Sequence, residues 1–141
     1  FDPNNIEIKA PGPKAKSFYA SFNRVWKSAL LTVGKYPLKS YDEDAGVIET
    51  DFIRGDNVWL PPYKDRYVQG GYRYKINIRL IKAHAGSHGA VQVIVLKQPE
   101  IQKDFFSTSE KLPSDGLEEM AILYRIEREL AIDQALQKVK K

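Results

Sequence analysis

The sequence lacks cysteine, and it contains only two histidines and one methionine in 141 residues. Without cysteine the chain has no disulfide, no thiol catalysis and no zinc-thiolate site, and its redox compartment stays open. No run approaches the ~18 consecutive apolar residues of a membrane-spanning helix. The chain also has no G-x-S-x-G motif, phosphate-binding loop or dinucleotide-binding fingerprint, so the common signatures of catalysis and nucleotide binding are missing.

The composition is that of one ordinary folded domain. Hydrophobic residues make up 43% and charged residues 28% of the chain, which is long enough to bury a single core. The net charge of +4 is a mild excess, so the positions of the charges must decide whether a partner is anionic. Residues 1–16, with three prolines and a glycine, predict an extended tether, and residues 17–141 predict a single domain.

The first half of the chain predicts a helix followed by two strands. Over 17–33 apolar residues recur every three or four positions, as in an amphipathic helix. We expect Ser17 to be the N-cap, and Pro37 prevents the helix from continuing. Strands are predicted at 38–41 and 47–53, joined by an acidic turn. The residues expected on one face of the second strand are Ile48, Thr50 and Phe52.

The second half predicts a hairpin and a second helix. Residues 54–66 contain a glycine and a Pro-Pro pair, and therefore predict a long loop. The next strand, 71–82, alternates between apolar and polar residues, so one face is buried and the other is solvated. A strand at 90–97 is expected to pair back with it and to be ended by Pro99. The last helix is predicted over 115–138, capped by its first residue, an aspartate.

This order of elements predicts an α+β fold with an antiparallel β-sheet of about four strands. The N-terminal and C-terminal helices would pack on one face, as in a helix-grip two-layer sandwich. The last helix has two apolar stripes on nearly opposite sides, and both need partners. The longer stripe comprises Leu117, Met120, Ala121, Tyr124, Ala131, Ile132, Ala135 and Val139. The shorter one, Leu123, Ile126 and Leu130, predicts either a second core contact or a surface that binds another protein.

The segment YDEDAGVIETDF, at 41–52, places five carboxylates in a basic chain. Its spacing does not fit a helix-loop-helix calcium site, which needs glycine at the sixth position and glutamate at the twelfth. Glu49 and Asp51 would share one strand face, as an acid/base pair does. Basic residues of the neighbouring strand are expected on that same face, so we predict a cross-strand charge ladder instead. Those basic residues are Arg73, Lys75 and Arg79.

The two histidines, His84 and His88, lie four positions apart in a glycine-rich turn. On a helix that spacing could hold a metal, but this segment is predicted to be a turn and no third ligand is near, so the pair is interpreted as incidental. The sequence thus predicts no catalytic residue, no metal and no cofactor, and a protein that is not an enzyme.

The tyrosines and the basic residues of the 71–82 strand bear on nucleic-acid binding. Tyr72 and Tyr74 point away from Arg73 and Lys75 because side chains alternate along a strand. An RNA-binding sheet needs stacking and charge on the same face. No nucleic-acid partner is therefore expected.

Two sets of apolar residues are candidates for binding. Trp59, Leu60 and Tyr63 lie in the loop sequence VWLPPY, where they form either a partner-binding site or, through Trp59, a cap on the core. The second hypothesis is a carrier that grips a small apolar ligand between helix and sheet. Its lining residues would be Trp26, Tyr72 and Tyr74.

The segment SFNRVWKSALLTVGKYPLKSYDEDAGVIETDF carries a family resemblance. Aromatic residues lie in a helix (FNRVW), a short strand follows, and an acidic turn leads into GVIETDF. This pattern resembles small envelope lipoproteins of Gram-negative bacteria, in particular the helix-grip module of BamC, an accessory lipoprotein of the outer-membrane β-barrel assembly machinery. The match covers 17–52 and, more loosely, the last helix.

The resemblance implies a domain at the periplasmic face of the outer membrane. A signal peptide and a lipidated cysteine would have preceded Phe1, and the Pro-rich start would be the tether. The membrane would be reached only through that anchor, which lies outside this chain. The implied function is non-enzymatic: binding other envelope proteins during outer-membrane assembly or maintenance.

Overall fold

The fold is an α+β sandwich, seen in a computed structural model that describes residues 13–54, 71–85, 88–101 and 109–139, without the side chains of 84–88. This part of the chain contains one sheet and a layer of two helices. In chain order the elements are β1 (Lys14–Phe18), α1 (Phe22–Val33), β2 (Leu38–Asp42), β3 (Val47–Thr50), β4 (Ile53–Arg54), β5 (Tyr72–Ala85), β6 (His88–Ile101), β7 (Glu110–Lys111) and α2 (Leu117–Val139).

Neighbouring strands of the sheet run antiparallel, in the order β1-β6-β5-β3-β2. β4 continues the line of β3 beside β5, and β7 continues the line of β1 beside β6. The α+β class is confirmed, but the described residues form seven strands where the sequence predicts about four. The unpredicted strands β1 and β7 and the separate β4 are two to five residues long, too short to show an alternating pattern.

α1 begins about one helical turn later than predicted. β1 occupies Lys14–Phe18 and pairs with β6, so the sheet begins inside the segment predicted as a tether (1–16), of which 1–12 lies outside the described residues. Ser21 is the N-cap, and its side chain accepts a hydrogen bond from a backbone N–H of the first turn. Phe18 fits the helical spacing of the sequence but is buried as a strand residue. A single apolar residue does not distinguish the two periods.

A break between β3 and β4 changes which residue faces the core. Ile48 and Thr50 are buried, in agreement with the prediction that they share a face. Asp51 and Phe52 belong to neither strand, and the Asp51 backbone N–H donates to a carbonyl just ahead of β2 (2.7 Å). The break shifts the alternation by one position, so Ile53 is buried in place of Phe52.

β6 runs through Pro99 to Ile101, beyond the end predicted from the proline. Pro99 lies opposite Tyr74 of β5, and its carbonyl accepts a hydrogen bond from the Leu112 N–H (3.0 Å), just beyond β7. Because N–H and C=O of a strand residue point the same way, the donor that proline lacks would face away from β5. The proline therefore removes no hydrogen bond from the β5–β6 ladder.

α1 and α2 pack against each other and on the same face of the sheet. The sheet contributes every second residue of its central strands, and each helix contributes one face. All buried polar side-chain atoms within the described ranges have a hydrogen-bond partner. The core residues are Phe18, Val25, Trp26, Ala29, Val33, Ile48, Ile53, Tyr74, Ile76, Ile78, Leu80, Val91, Val93, Val95, Ile122, Leu123, Ile126 and Leu130.

α2 buries the shorter of its two apolar stripes. Leu123, Ile126 and Leu130 lie in the core, so they are the second core contact and do not form a surface for a partner. The longer stripe faces away from the sheet and is exposed. The longer stripe contains three alanines, and Arg128 lies beside it at the middle of the helix. Packing this stripe on the sheet would therefore bury less apolar surface than packing the shorter stripe does, and it would also bury a charge.

Candidate partner-binding surfaces

The sheet has one face on which neither described helix packs. β5 and β6 each contain 14 residues and pair along their whole length. Alternate residues of β5 point away from the core, namely Arg73, Lys75, Asn77, Arg79 and Ile81. Their neighbours across the ladder are Glu100, Gln98, Leu96, Ile94 and Gln92. We call these ten residues, together with Phe52, the outer sheet face.

Phe52 is held on the outer sheet face by cations. The Arg73 guanidinium carbon lies 4.0 Å, and the Lys75 ammonium 5.3 Å, from the centroid of its ring. Arg73 Nε also donates to Glu100 Oε1 at 2.6 Å. A partly exposed phenylalanine that an arginine fixes in place is the kind of anchor that enriches the centres of protein interfaces.

The predicted charge ladder between Glu49 and Asp51 and the basic residues of β5 is not formed as ion pairs among the described residues. Glu49 lies opposite Asn77 of β5, on the solvent face as predicted. Among the ion pairs of the described residues, none involves Glu49 or Asp51; Asp51 accepts a hydrogen bond from the Phe52 backbone N–H (2.8 Å). Arg73 instead pairs with Glu100 of β6, the neighbour of β5 on the side away from β3. The register of β5 with β6 puts these two residues opposite each other.

A polar cluster ties the start of α2 to the covered face of the sheet. Glu118 Oε1 accepts hydrogen bonds from the hydroxyls of Tyr36 (2.8 Å) and Tyr74 (3.0 Å). Glu118 Oε2 forms an ion pair with Lys97 Nζ at 3.0 Å. Both carboxylate oxygens are thus occupied by partners within the protein.

The cluster shifts the ionisation of its members. Burial, and then the Glu118 carboxylate, raise the pKa of Tyr36 and Tyr74 above the usual 10.0. Burial also raises the pKa of the adjacent Tyr72. Burial by itself would lower the pKa of Lys97, but the hydrogen bond and charge of Glu118 raise it above 10.5. Near neutral pH the cluster therefore holds neutral tyrosines and a charged lysine, and it is suited to binding α2 rather than to transferring protons.

Sequence reasoning missed a second carboxylate, Glu119, which is only 1% exposed. Its two oxygens lie 3.0 and 2.8 Å from Ser114 Oγ, which in turn accepts a hydrogen bond from the Gly116 N–H (3.1 Å). A helical wheel places Glu119 beside Ile122 and Leu123 on the core stripe, and this position was the available signal. The hydrogen-bonded pair of Ser114 and Glu119 anchors the first turn of α2.

The three residues of the carrier hypothesis are not brought together. Trp26 is buried and stacks on Phe22, with ring centroids 6.3 Å apart, and Phe22 lies beside Leu80. Tyr74 lies six residues before Leu80 on β5, roughly 20 Å away along the strand. Tyr72 is close to Tyr74, at 6.3 Å between ring centroids, and both belong to the Glu118 end of the molecule.

The acidic turn lines an open groove of about 730 Å³. The groove is bounded by Phe22, by residues 43–47 and by residues 79–82. Glu43 accepts a hydrogen bond from Asn23 (3.1 Å). Because acidic residues of the turn face basic residues of β5, the groove does not concentrate charge of one sign.

Several predicted site residues are not among the residues that the structure describes. Trp59, Leu60 and Tyr63 are outside the described residues, and so are the side chains of His84 and His88. In the described ranges, no group of three or more histidine, aspartate or glutamate side chains could hold a metal ion. No described helix is long and apolar enough to cross a membrane.

No protein-family model matches the chain, and no curated protein matches it significantly. The resemblance of residues 17–52 to envelope lipoproteins therefore stays a prediction.

Proposed function

We propose that the chain is a non-enzymatic envelope lipoprotein domain that binds other proteins during outer-membrane assembly or maintenance. The observation that carries protein binding is the outer sheet face, on which no described helix packs and where the cationic groups of Arg73 and Lys75 lie against the Phe52 ring. The α+β sandwich is compatible with the helix-grip arrangement that the resemblance implies.

The size and chemistry of the outer sheet face suit a protein partner. Fourteen residues per strand, at ~3.4 Å each, give a ladder roughly 45 Å long. That length can supply the ~800 Å² per partner of a standard interface. The face presents aliphatic side chains, both signs of charge and one aromatic anchor, a mixture that matches protein surfaces better than a uniformly charged polymer.

The internal use of the polar residues supports a role other than catalysis. Tyr36, Tyr74 and Lys97 all bind Glu118, and Ser114 binds Glu119. An acid/base or nucleophilic site needs such groups directed toward a substrate. Here they join α2 to the sheet and to the segment before it.

A cross-linking experiment tests the protein-binding part. A photo-cross-linking amino acid in place of Arg79 should give discrete adducts with envelope proteins in Gram-negative cells that express the precursor. Phe52→Ala and Arg73→Glu should each reduce these adducts at least tenfold, since loss of an interface anchor typically costs ~2 kcal/mol or more. Lys39→Glu, on exposed β2, is the control and should leave them unchanged.

The protein-binding part and the lipoprotein part of the proposal are tested by separate results. Adducts that persist at full yield in both Phe52→Ala and Arg73→Glu would show that the outer sheet face is not the binding surface. The lipoprotein part requires a lipidated cysteine ahead of Phe1 in the precursor, detectable by metabolic labelling with palmitate. A precursor without that cysteine contradicts the anchor and leaves the binding result intact.

A further inference from the structure

The outward face of α2 exposes apolar side chains along its whole length. The 23 residues of the helix extend roughly 34 Å. Six of its large apolar residues are 45–81% exposed. They are Leu117, Met120, Tyr124, Ile132, Leu136 and Val139. Such a stripe on a helix that already has a complete core contact needs a second apolar environment.

Three basic residues of the helix layer are not matched by acidic partners among the described residues. Arg128 lies midway along the exposed stripe, Lys138 lies in its last turn, and exposed Lys27 lies on the outward side of α1. In the part of the chain that the structure describes, none of these three cations is in an ion pair. The sequence then continues with Lys140 and Lys141.

The acidic side chains of α2 are mostly bound within the protein. Glu118 binds Tyr36, Tyr74 and Lys97, and Glu119 is buried against Ser114. Glu127 pairs with Lys16 of β1, and Asp133 lies 3.9 Å from Arg24 of α1. Glu129, which is half-buried, is in none of the ion pairs of the described residues, but Arg128, Lys138 and Lys27 outnumber it, so the layer presents apolar side chains and more unpaired positive than negative charge to the outside.

We propose that the outward face of α2 binds the surface of a bilayer that contains anionic phospholipid, with the helix lying in the plane of the interface. Interfacial helices combine an apolar stripe with lysine and arginine, and their binding increases with buried apolar area and with anionic lipid. Tyr124 has the apolar ring and polar tip typical of residues at this depth. This goes beyond the protein-binding proposal because it uses the opposite side of the sandwich.

Two other occupants fit the observations less well. In an antiparallel pair of α2 helices from two copies, aligned centre to centre, the two Arg128 side chains would meet at the two-fold axis. An acidic protein helix would satisfy the charges, but the described groove, which would hold anchoring side chains, lies at the acidic turn and not on this face. A flat lipid surface needs no groove.

Vesicle sedimentation of the full chain tests the proposal. The chain should bind equimolar phosphatidylglycerol–phosphatidylcholine vesicles, bind phosphatidylcholine alone much more weakly, and lose affinity as salt increases. Arg128→Glu should weaken binding about thirtyfold, since each unit of charge near an anionic surface changes the binding constant about fivefold. Ile132→Asp should also weaken binding, because it removes one apolar side chain of the stripe and adds a negative charge.

A matched control lies on the other side of the molecule. Ile81, on the outer sheet face, is 41% exposed, close to the 45% of Ile132. Ile81→Asp should bind vesicles as the unmodified chain does. If Ile132→Asp proves unfolded by circular dichroism, Arg128→Glu decides, because an exposed arginine without an ion pair is replaceable.

Three results would overturn the proposal. One is a chain that does not bind the mixed vesicles, and another is equal loss of binding in Ile81→Asp and Ile132→Asp. The third is a stable dimer in sedimentation velocity that Ile132→Asp dissociates, because a second copy would then cover the stripe. Cross-linking from position 79 tests the protein-binding proposal on the other side of the molecule. A failure of the lipid proposal can therefore be told apart from a failure of the protein-binding proposal.

Discussion

Gly46 shows how one residue shapes the acidic turn. Its φ of +71° is a left-handed conformation that costs other residues about 1–2 kcal/mol. Its carbonyl accepts the Leu80 N–H at 2.7 Å, and this close approach leaves no room, because a Cβ would clash with the Leu80 carbonyl oxygen. The turn joins β2 to β3 only with glycine at this position.

Gly46→Ala should therefore lower the free energy of unfolding by about 2 kcal/mol or more, the sum of backbone strain and a clash with a fixed carbonyl. Urea denaturation followed by circular dichroism measures the change. Gly89→Ala is the matched control, since a Cβ at Gly89 meets no atom within 4 Å. Equal stability of both variants would contradict the role given to Gly46.

The tyrosines on Glu118 should make stability depend on alkaline pH. In the unfolded chain Tyr36 and Tyr74 ionise near pH 10.0, whereas in the folded protein their pKa is higher. The folded state thus has its full advantage below pH ~10 and loses it as the pH rises further, because only the unfolded chain then releases these protons. The raised pKa of Lys97 acts in the same direction.

We expect the free energy of unfolding to fall between pH 10 and 11.5, and the double variant Tyr36→Phe, Tyr74→Phe to fall less steeply over the same range. At neutral pH each single variant should cost roughly 1.5–3 kcal/mol, the value of a hydrogen bond to a charged group. Tyr124→Phe, on the exposed stripe, is the control. An unchanged slope in the double variant would contradict the raised pKa of these two hydroxyls in the folded protein.

At the scale of elements, α2 has two apolar faces with different tasks. Ile126 is fully buried and Ile132, six residues later, is 45% exposed. Ile126→Ala should cost about 2–5 kcal/mol because it leaves a cavity in the core. Ile132→Ala should change stability by less than ~0.5 kcal/mol, since an exposed site has no cavity to form.

Thermal and urea unfolding of these two variants assign the faces directly. The helix and the substitution chemistry are the same, so the difference reports burial alone. If both variants lost similar stability, the outward face of α2 would be packed against other parts of the chain, and the lipid proposal would lose its surface.

The strands were predictable to the extent that their pattern was long and regular. β5 has its apolar residues at every second position, and Tyr74, Ile76, Ile78 and Leu80 are buried as the alternation predicts. The two-residue step between β3 and β4 interrupts this alternation, and Phe52 lies partly exposed on the outer sheet face instead of in the core. A local break of this kind depends on backbone hydrogen bonds from elsewhere, here from the residue before β2, which no local pattern reports.

At the scale of the whole molecule, the sandwich has two chemically distinct sides. The outer sheet face carries both signs of charge around Phe52, while the helix layer carries apolar residues with unpaired positive charge. Since the core separates the two sides, variants on one should not affect binding by the other. A domain held at a lipid surface by α2 would present its sheet to proteins in the adjoining compartment.

The sequence by itself determined the α+β class, the presence of both helices and the buried face of β5, because these depend on periodic patterns within one element. It also contained the two apolar stripes of α2, but their similarity left the choice between them open. The seven-strand sheet, the Glu118 cluster and the placement of Leu123, Ile126 and Leu130 in the core required the tertiary structure. Each of these joins residues far apart in the chain, and their pairing is set by register and by competition for one core, which no local pattern encodes.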